Sequence, residues 1–290
     1  MEPRDRYFKG WYCKLQTRDG EALALIPALH IDSRGRRSAS LQVISRERSW
    51  WLAYPGAAFQ QKGAQLRLGE NLFQPEGVWL QIQTRDLSLQ GKLRFGPAVG
   101  LRSDIMGPFR FLPNMECVHG VHSMGHAVDG TLCLNGRRLD FAGGLGYVES
   151  DRGRSFPERY LWAQSSWQGA GSLMLAVATI PLAGYRFTGC ICAVLHGGQE
   201  YRLATYRGVK VLAWWDRGAV IRQGRYRLAV EVLERQMQPL RAPVEGEMGR
   251  TIHESLCARL RCRFWVGEQL LFDRVDHCAG FEYAGGMGTK

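Results

Sequence analysis

Glu149 and Asp151 stand two residues apart in the run Gly146-Tyr147-Val148-Glu149-Ser150-Asp151-Arg152-Gly153-Arg154-Ser155-Phe156-Pro157, which continues to Trp162-Ala163-Gln164. In a strand, residues i and i+2 share a face, so both carboxyls address the same space. Like charges in a shared low-dielectric site push one pKa upward. That leaves a carboxylic acid at neutral pH, able to protonate a substrate. Arg152 and Arg154 are close by, and the same residues could instead form a salt-bridged strap that fixes a turn. Polar groups at this density must satisfy one another or line a pocket, since each unpaired one is costly to bury.

His119, His122 and His126 invite a metal reading, because their spacing suits one face of a helix. Gly120 and Gly125 interrupt that face, and in a strand His119 and His122 point to opposite sides. No metal is expected. His119 beside Glu116 suits a proton relay better. Gly143-Gly144-Leu145-Gly146 lacks the strand–loop–helix context of a phosphate cradle. No nucleophile has an obvious base partner, and no cofactor is expected.

Strands must position these groups. Period-two alternation recurs along the chain with turn residues between the runs. Asn135-Gly136 is a strong hairpin signal, and Gly197-Gly198 marks a second tight turn. Only one helix is expected, about two turns from Thr251, where Thr251 and Glu254 fit a capping box. About fourteen strands with little helix predict an all-β protein of two antiparallel barrels. The break is expected between Pro108 and Cys117, where Pro108, Pro113 and Asn114 interrupt the pattern. It gives an N-terminal barrel over 1–112 and a C-terminal barrel over 113–290. Pro239 to Gly249 reads as a second irregular stretch.

The 290 residues are 45% hydrophobic, enough for a substantial core. The longest apolar run, Leu173 to Leu182, is about half of what a membrane-spanning helix needs. The start, MEPRDRYFKG, has no apolar secretory core. The 8 cysteines lack metal-type pairing and read as reduced, in a cytoplasmic protein. Cys190 and Cys192 share one strand face. The net charge of +11 is dispersed arginine. Arg259, Arg261 and Arg263 alternate as one face of a strand. No nucleic-acid motif accompanies the charge. It suits a solvated basic face, or peripheral attraction to an anionic membrane surface.

Several segments, in order, resemble the tocopherol cyclase family and its bacterial branch above all. Tyr7-Phe8-Lys9-Gly10-Trp11-Tyr12-Cys13-Lys14 is similar to that family's opening F-[KE]-G-W-Y-[FY]-[KR]. Met115-Glu116-Cys117-Val118-His119-Gly120 and Ser123-Met124-Gly125-His126 resemble its segment before the central hairpin. Gly146-Tyr147-Val148-Glu149, Asp151 and Gly153-Arg154-Ser155-Phe156-Pro157 resemble its G-Y-[IV]-E-K-D-W-G-R-S-F-P signature. Ala204-Thr205-Tyr206, Ala242-Pro243 and Glu254-Ser255-Leu256 resemble its C-terminal half. Ser150, Arg152 and Ser166 depart from it, standing where the family usually has Lys, Trp and Asn.

The resemblance implies a lipocalin-like two-barrel fold and an intramolecular cyclase that closes a chromanol ring on a prenylated quinol. Such chemistry needs an acid to protonate an alkene, a surface that tolerates a cation, and a dry cavity. Glu149 or Asp151 is the expected donor, with Tyr147 beside them. Trp11, Tyr12, Tyr147 and Trp162 could face the cation, at about 0.5 to 2 kcal/mol each, although such rings also fill barrel cores. Lys9 and Gln164 could orient the quinol oxygens, and Glu116, His119 and Arg154 complete the expected binding set. The competing expectation is a non-catalytic carrier or sensor of a hydrophobic lipid. Carboxyls inside an apolar pocket favour catalysis, whereas carboxyls facing Arg152 and Arg154 outside it favour binding alone.

Overall fold

The computed structural model describes residues 3–285, apart from residues 113, 114, 168, 170 and 183 and the side chain of Leu182. Its strands form two antiparallel sheets, of 12 and 10 strands. Among the described residues there is no α-helix. Three 3-10 turns occur, at Gly56–Ala58, Gly107–Phe111 and Thr205–Arg207. Among the described residues no helix is long and apolar enough to cross a membrane.

Most neighbouring strands are consecutive hairpin partners, but the middle of each sheet is closed by a pairing across long sequence distance. In the first sheet Tyr7–Gln16 pairs with Gly144–Gly153, setting Tyr12 opposite Glu149 and Gly10 opposite Asp151. In the second, Tyr160–Trp167 pairs with Gln269–Ala284, setting Trp162 opposite Glu282. These two long-range pairings carry the polar groups considered below.

Strand alternation divides the side chains of these strands between two destinations. Cys13 and Leu15 point into the first core, where Leu25 and Leu41 from one limb of the sheet meet Leu66 and Leu89 from the other. Leu161 and Ala163 point into the second core, with Val194, Val230 and Phe264. Each sheet therefore wraps around its own filled interior, and each fully buried Leu or Phe there stabilises the fold by about 1.5–3 kcal/mol. The alternate residues Tyr12, Tyr147, Tyr160 and Trp162 leave both interiors and meet in a third cluster between the sheets, with Met124, Met174 and Ile252.

The all-β, two-barrel expectation agrees with this architecture, and the strand count rises to 22. Asn135-Gly136 turns the hairpin between Cys117–Leu134 and Arg137–Asp140, with φ of 49° and 82°. The pair Gly197-Gly198 turns the next predicted hairpin, again with positive φ at both residues. Cys190 and Cys192 do share the second core. Arg259, Arg261 and Arg263 do alternate with buried Ala258, Leu260 and Cys262.

The sheets change over after Gly153 and before Tyr160, not at 112/113. Cys117–Leu134 and Gly144–Gly153 belong to the first sheet, because their apolar face completes its core. Pro108 lies in a 3-10 turn, while Pro113 and Asn114 fall outside the described residues. The expected helix at Thr251 is the long strand Glu247–Val266, held by partners on both sides that override a local capping pattern. The irregular stretch from Pro239 is a hairpin whose first strand, Gln238–Val244, pairs on one side only, where proline is tolerated. Cys257 and Cys278 are paired as a disulfide, which corrects the expectation of eight reduced thiols; the other six are free.

Candidate active site

Glu149 sits at the centre of the seam between the sheets, 5% exposed. Its Oε2 accepts a hydrogen bond from the Tyr147 hydroxyl at 2.5 Å and from the Trp162 indole N–H at 3.2 Å. His119 Nε2 lies 3.2 Å from the same oxygen, near enough for charge attraction but not aligned as a hydrogen bond. The other ring nitrogen, Nδ1, meets Asp151 Oδ1 at 2.9 Å, and the Cys117 thiol donates to that oxygen at 3.4 Å. Burial alone would lower the pKa of His119, but the flanking charges of Glu149 and Asp151 raise it well above the ordinary histidine value. The charged form of His119 is thus favoured between the two acidic side chains. The ligand atoms of the three residues lie within 4.8 Å of one another, a spacing that could hold a metal ion.

A second pair of carboxyls faces the first. Glu254 and Glu282 are direct partners across two antiparallel strands. Glu254 is fully buried, accepts from the Tyr12 hydroxyl on Oε1, and has no partner for Oε2. Its pKa is raised to about 7, chiefly by burial and further by Glu149, while the Tyr12 bond and Lys14 oppose the rise. Glu282 accepts from the Tyr160 hydroxyl at 2.6 Å. Burial first and Glu254 second lift its pKa well above the carboxylate range. Tyr12, Tyr147 and Tyr160 are themselves held protonated by burial and by the adjoining carboxyls, so each remains a donor.

These groups open onto a cavity of about 190 Å³ lined from both sheets. Glu149, Asp151, Glu282 and His119 reach its wall, and the remaining lining is mostly apolar, including Ile26, Phe156, Ile191 and Ile252. Small residues keep the space open: Gly10, Ala28, Ala176, Ala178 and Gly189 all border it. Gly280 has a separate steric role. A Cβ there would come within 2.8 Å of the Trp162 ring, whose position fixes the N–H donated to Glu149.

Of the residues expected from the sequence, Trp11, Tyr12, His119, Glu149, Asp151 and Trp162 border this cavity. Tyr147 stands behind Glu149, 2% exposed. Gln164 does not reach the cavity. It is locked between Lys14 Nζ at 3.1 Å and Ser166 Oγ at 2.7 Å. Lys9 turns to Gln61 and lies 5.0 Å from the Trp11 ring. Arg154 is exposed and bridges Glu245 at 3.3 Å, leaving Glu149 and Asp151 without the arginine strap. Glu116 stays outside the cavity, where its carbonyl accepts from the backbone N–H of Arg154 and of Ser155. His119 therefore faces Asp151 and Glu149, not Glu116. Glu282, Tyr160 and Cys117 were not expected. The only local signal was a lone acid in an apolar strand, Phe281-Glu282-Tyr283. In sequence Glu254 reads as part of a helix capping box, and its pairing with Glu282 depends on a register that no short window shows.

No family model matches the chain, and no curated protein does. Solved structures do share the fold. A putative AttH from Nitrosomonas europaea superposes with a TM-score of 0.59 at 13% identity, covering 96% of this chain and 92% of the other. Kievitone hydratase from Nectria haematococca superposes with a TM-score of 0.57 at 8% identity, covering 97% and 89%. At these identities the likeness is one of fold.

Proposed function

We propose that this protein adds an O–H group across a trisubstituted alkene in a prenylated quinol or another isoprenoid, closing a chromanol-type ring or hydrating the double bond. The observation that carries this reading is the placement of Glu149 and Asp151, with His119, in the wall of an apolar cavity and away from Arg152 and Arg154. A proton passes from a cavity carboxyl to the alkene carbon, and a tertiary cation results. The oxygen lone pair then forms the C–O bond, and the O–H proton leaves to a carboxylate. Glu149 and Asp151 accept hydrogen bonds in every contact described above, so they serve as the anionic wall that faces the cation and takes up that proton. Trp162 and Tyr12 supply aromatic surface. An apolar cavity favours capture by the substrate's own phenol over capture by water.

A lipid carrier would need the same apolar lining but not the acids. Burying carboxyls in a cavity wall is destabilising unless hydrogen bonds or counter-charges offset it; three of them reach this one, and a carrier has no need of any. The hydratase that shares the fold adds weight to addition chemistry.

The test is incubation with a panel of prenylated hydroquinones and mass spectrometry of what is retained and what changes. Ala176→Phe should fill the cavity and abolish retention while leaving a folded protein by circular dichroism. Retention unaltered by Ala176→Phe would place the ligand elsewhere. Retention by the unmodified chain without conversion would leave the carrier.

A further inference from the structure

We propose that Glu282 is the group that gives its proton to the alkene, with Glu254 as the cross-strand partner that keeps that proton in place. This rests on the reading above and assigns its acid. Two carboxyls at directly opposed positions in an antiparallel pair have Cβ atoms about 5 Å apart. Such neighbours cannot both ionise cheaply in a water-poor seam. Among the described residues, no salt bridge reaches either one.

Glu254 meets Tyr12 and Lys14 from the strand Tyr7–Gln16, and Glu149 from Gly144–Gly153. Lys14 is taken up by Gln164 and the Cys278 carbonyl, and burial depresses its pKa to about 8. Glu282 meets Tyr160, Glu254, Glu149 and Asp151, with no cation among them. The Tyr160 hydroxyl occupies one carboxyl oxygen of Glu282. The side chain still borders the cavity, where it is partly accessible.

At the wall, Glu149 and Glu282 therefore differ in kind. Glu149 gathers the Tyr147 and Trp162 donors and the His119 cation. Glu282 faces other carboxyls. Titratable groups whose environments push them apart divide into acid and base. In the step, the Glu282 O–H bond breaks and a C–H bond forms at the alkene. The nucleophile's O–H proton is taken up at Glu149, so the proton content of the site is unchanged. Both carboxyls re-equilibrate with solvent as product leaves.

Infrared spectroscopy of the whole chain carrying 13C-carboxyl-labelled glutamate tests this without a substrate. At neutral pH the protein should show the C=O stretch of protonated carboxyl, to which Glu254, with a pKa of about 7, also contributes, and Glu282→Gln should lose the Glu282 share of it. Identical spectra for the two proteins would overturn the assignment. If Glu282→Gln fails to fold, Tyr160→Phe keeps the carboxyl and removes its hydroxyl partner. That variant should shift the same band, and an unmoved band would again overturn the proposal. In turnover with a prenylated hydroquinone, Glu282→Gln should be slowed about 100-fold or more. A spectrum as expected beside a wild-type protein that converts no prenylated hydroquinone would sink the proposed function and spare the protonated Glu282. Conversion by wild type and Glu282→Gln at equal rates would do the reverse.

Discussion

Glu149→Gln is expected to slow conversion of a prenylated hydroquinone by about 1,000-fold, as removal of a positioned acid–base group does, while retention of the same compound stays near the wild-type level. Glutamine has almost the same shape. Its amide oxygen can still accept from Tyr147 and Trp162, so the local packing has little reason to change. What is lost is the negative charge facing the cation and the acceptor for the O–H proton. His119 also loses one of its two carboxylate neighbours and should titrate at lower pH. Proton NMR of the imidazole would read that shift independently of turnover. Unchanged turnover would remove Glu149 from the chemistry.

Glu254→Gln is expected to stabilise the protein at alkaline pH. Folding raises the Glu254 pKa from the ordinary value of 4.5 to about 7, through burial first. A group whose folded pKa lies above its unfolded value contributes stability that is complete below pH 4.5 and lost as pH rises through about 7. By pH 8 the loss amounts to about 3 kcal/mol. Glutamine cannot ionise, and it can still accept from the Tyr12 hydroxyl. Urea unfolding of both proteins at pH 4 and pH 8 should therefore show equal stability at the lower pH and a more stable variant at the higher. Parallel pH dependence in the two proteins would mean that Glu254 ionises as freely folded as unfolded. A gain in stability with a loss of conversion is the pattern expected when acids are buried for function.

Local signals in the sequence were reliable where short-range geometry decides. Asn135-Gly136 and Gly197-Gly198 are hairpins because positive φ is cheap there. Glu149 and Asp151 share a face because strand alternation requires it, and both reach the cavity. Thr251 is no helix start because the strands before and after it, Gln238–Val244 and Gln269–Ala284, claim that segment from both sides, which a four-residue capping pattern does not show. The sheet boundary was misplaced for a similar reason. Whether Cys117–Leu134 joins the first or the second core depends on its partners, not on the prolines before it. Glu282 and Tyr160 become visible only once Tyr160–Trp167 is laid against Gln269–Ala284. Lys9 and Gln164 carry the right chemistry for a binding site, but nearer partners claim them. The cavity also forms outside both barrel interiors, where outward-facing residues of two sheets meet. Lipocalin-like analogy would place it inside one of them.

Conversion in deuterium oxide is the most direct measurement of whether this cavity protonates carbon. A prenylated hydroquinone incubated with the wild-type chain should give a product carrying one deuterium on a carbon of the former alkene, in a position that does not wash out in ordinary water, and Glu149→Gln should give almost none. Compound recovered from the wild-type cavity with no deuterium on carbon would contradict the chemistry proposed for it.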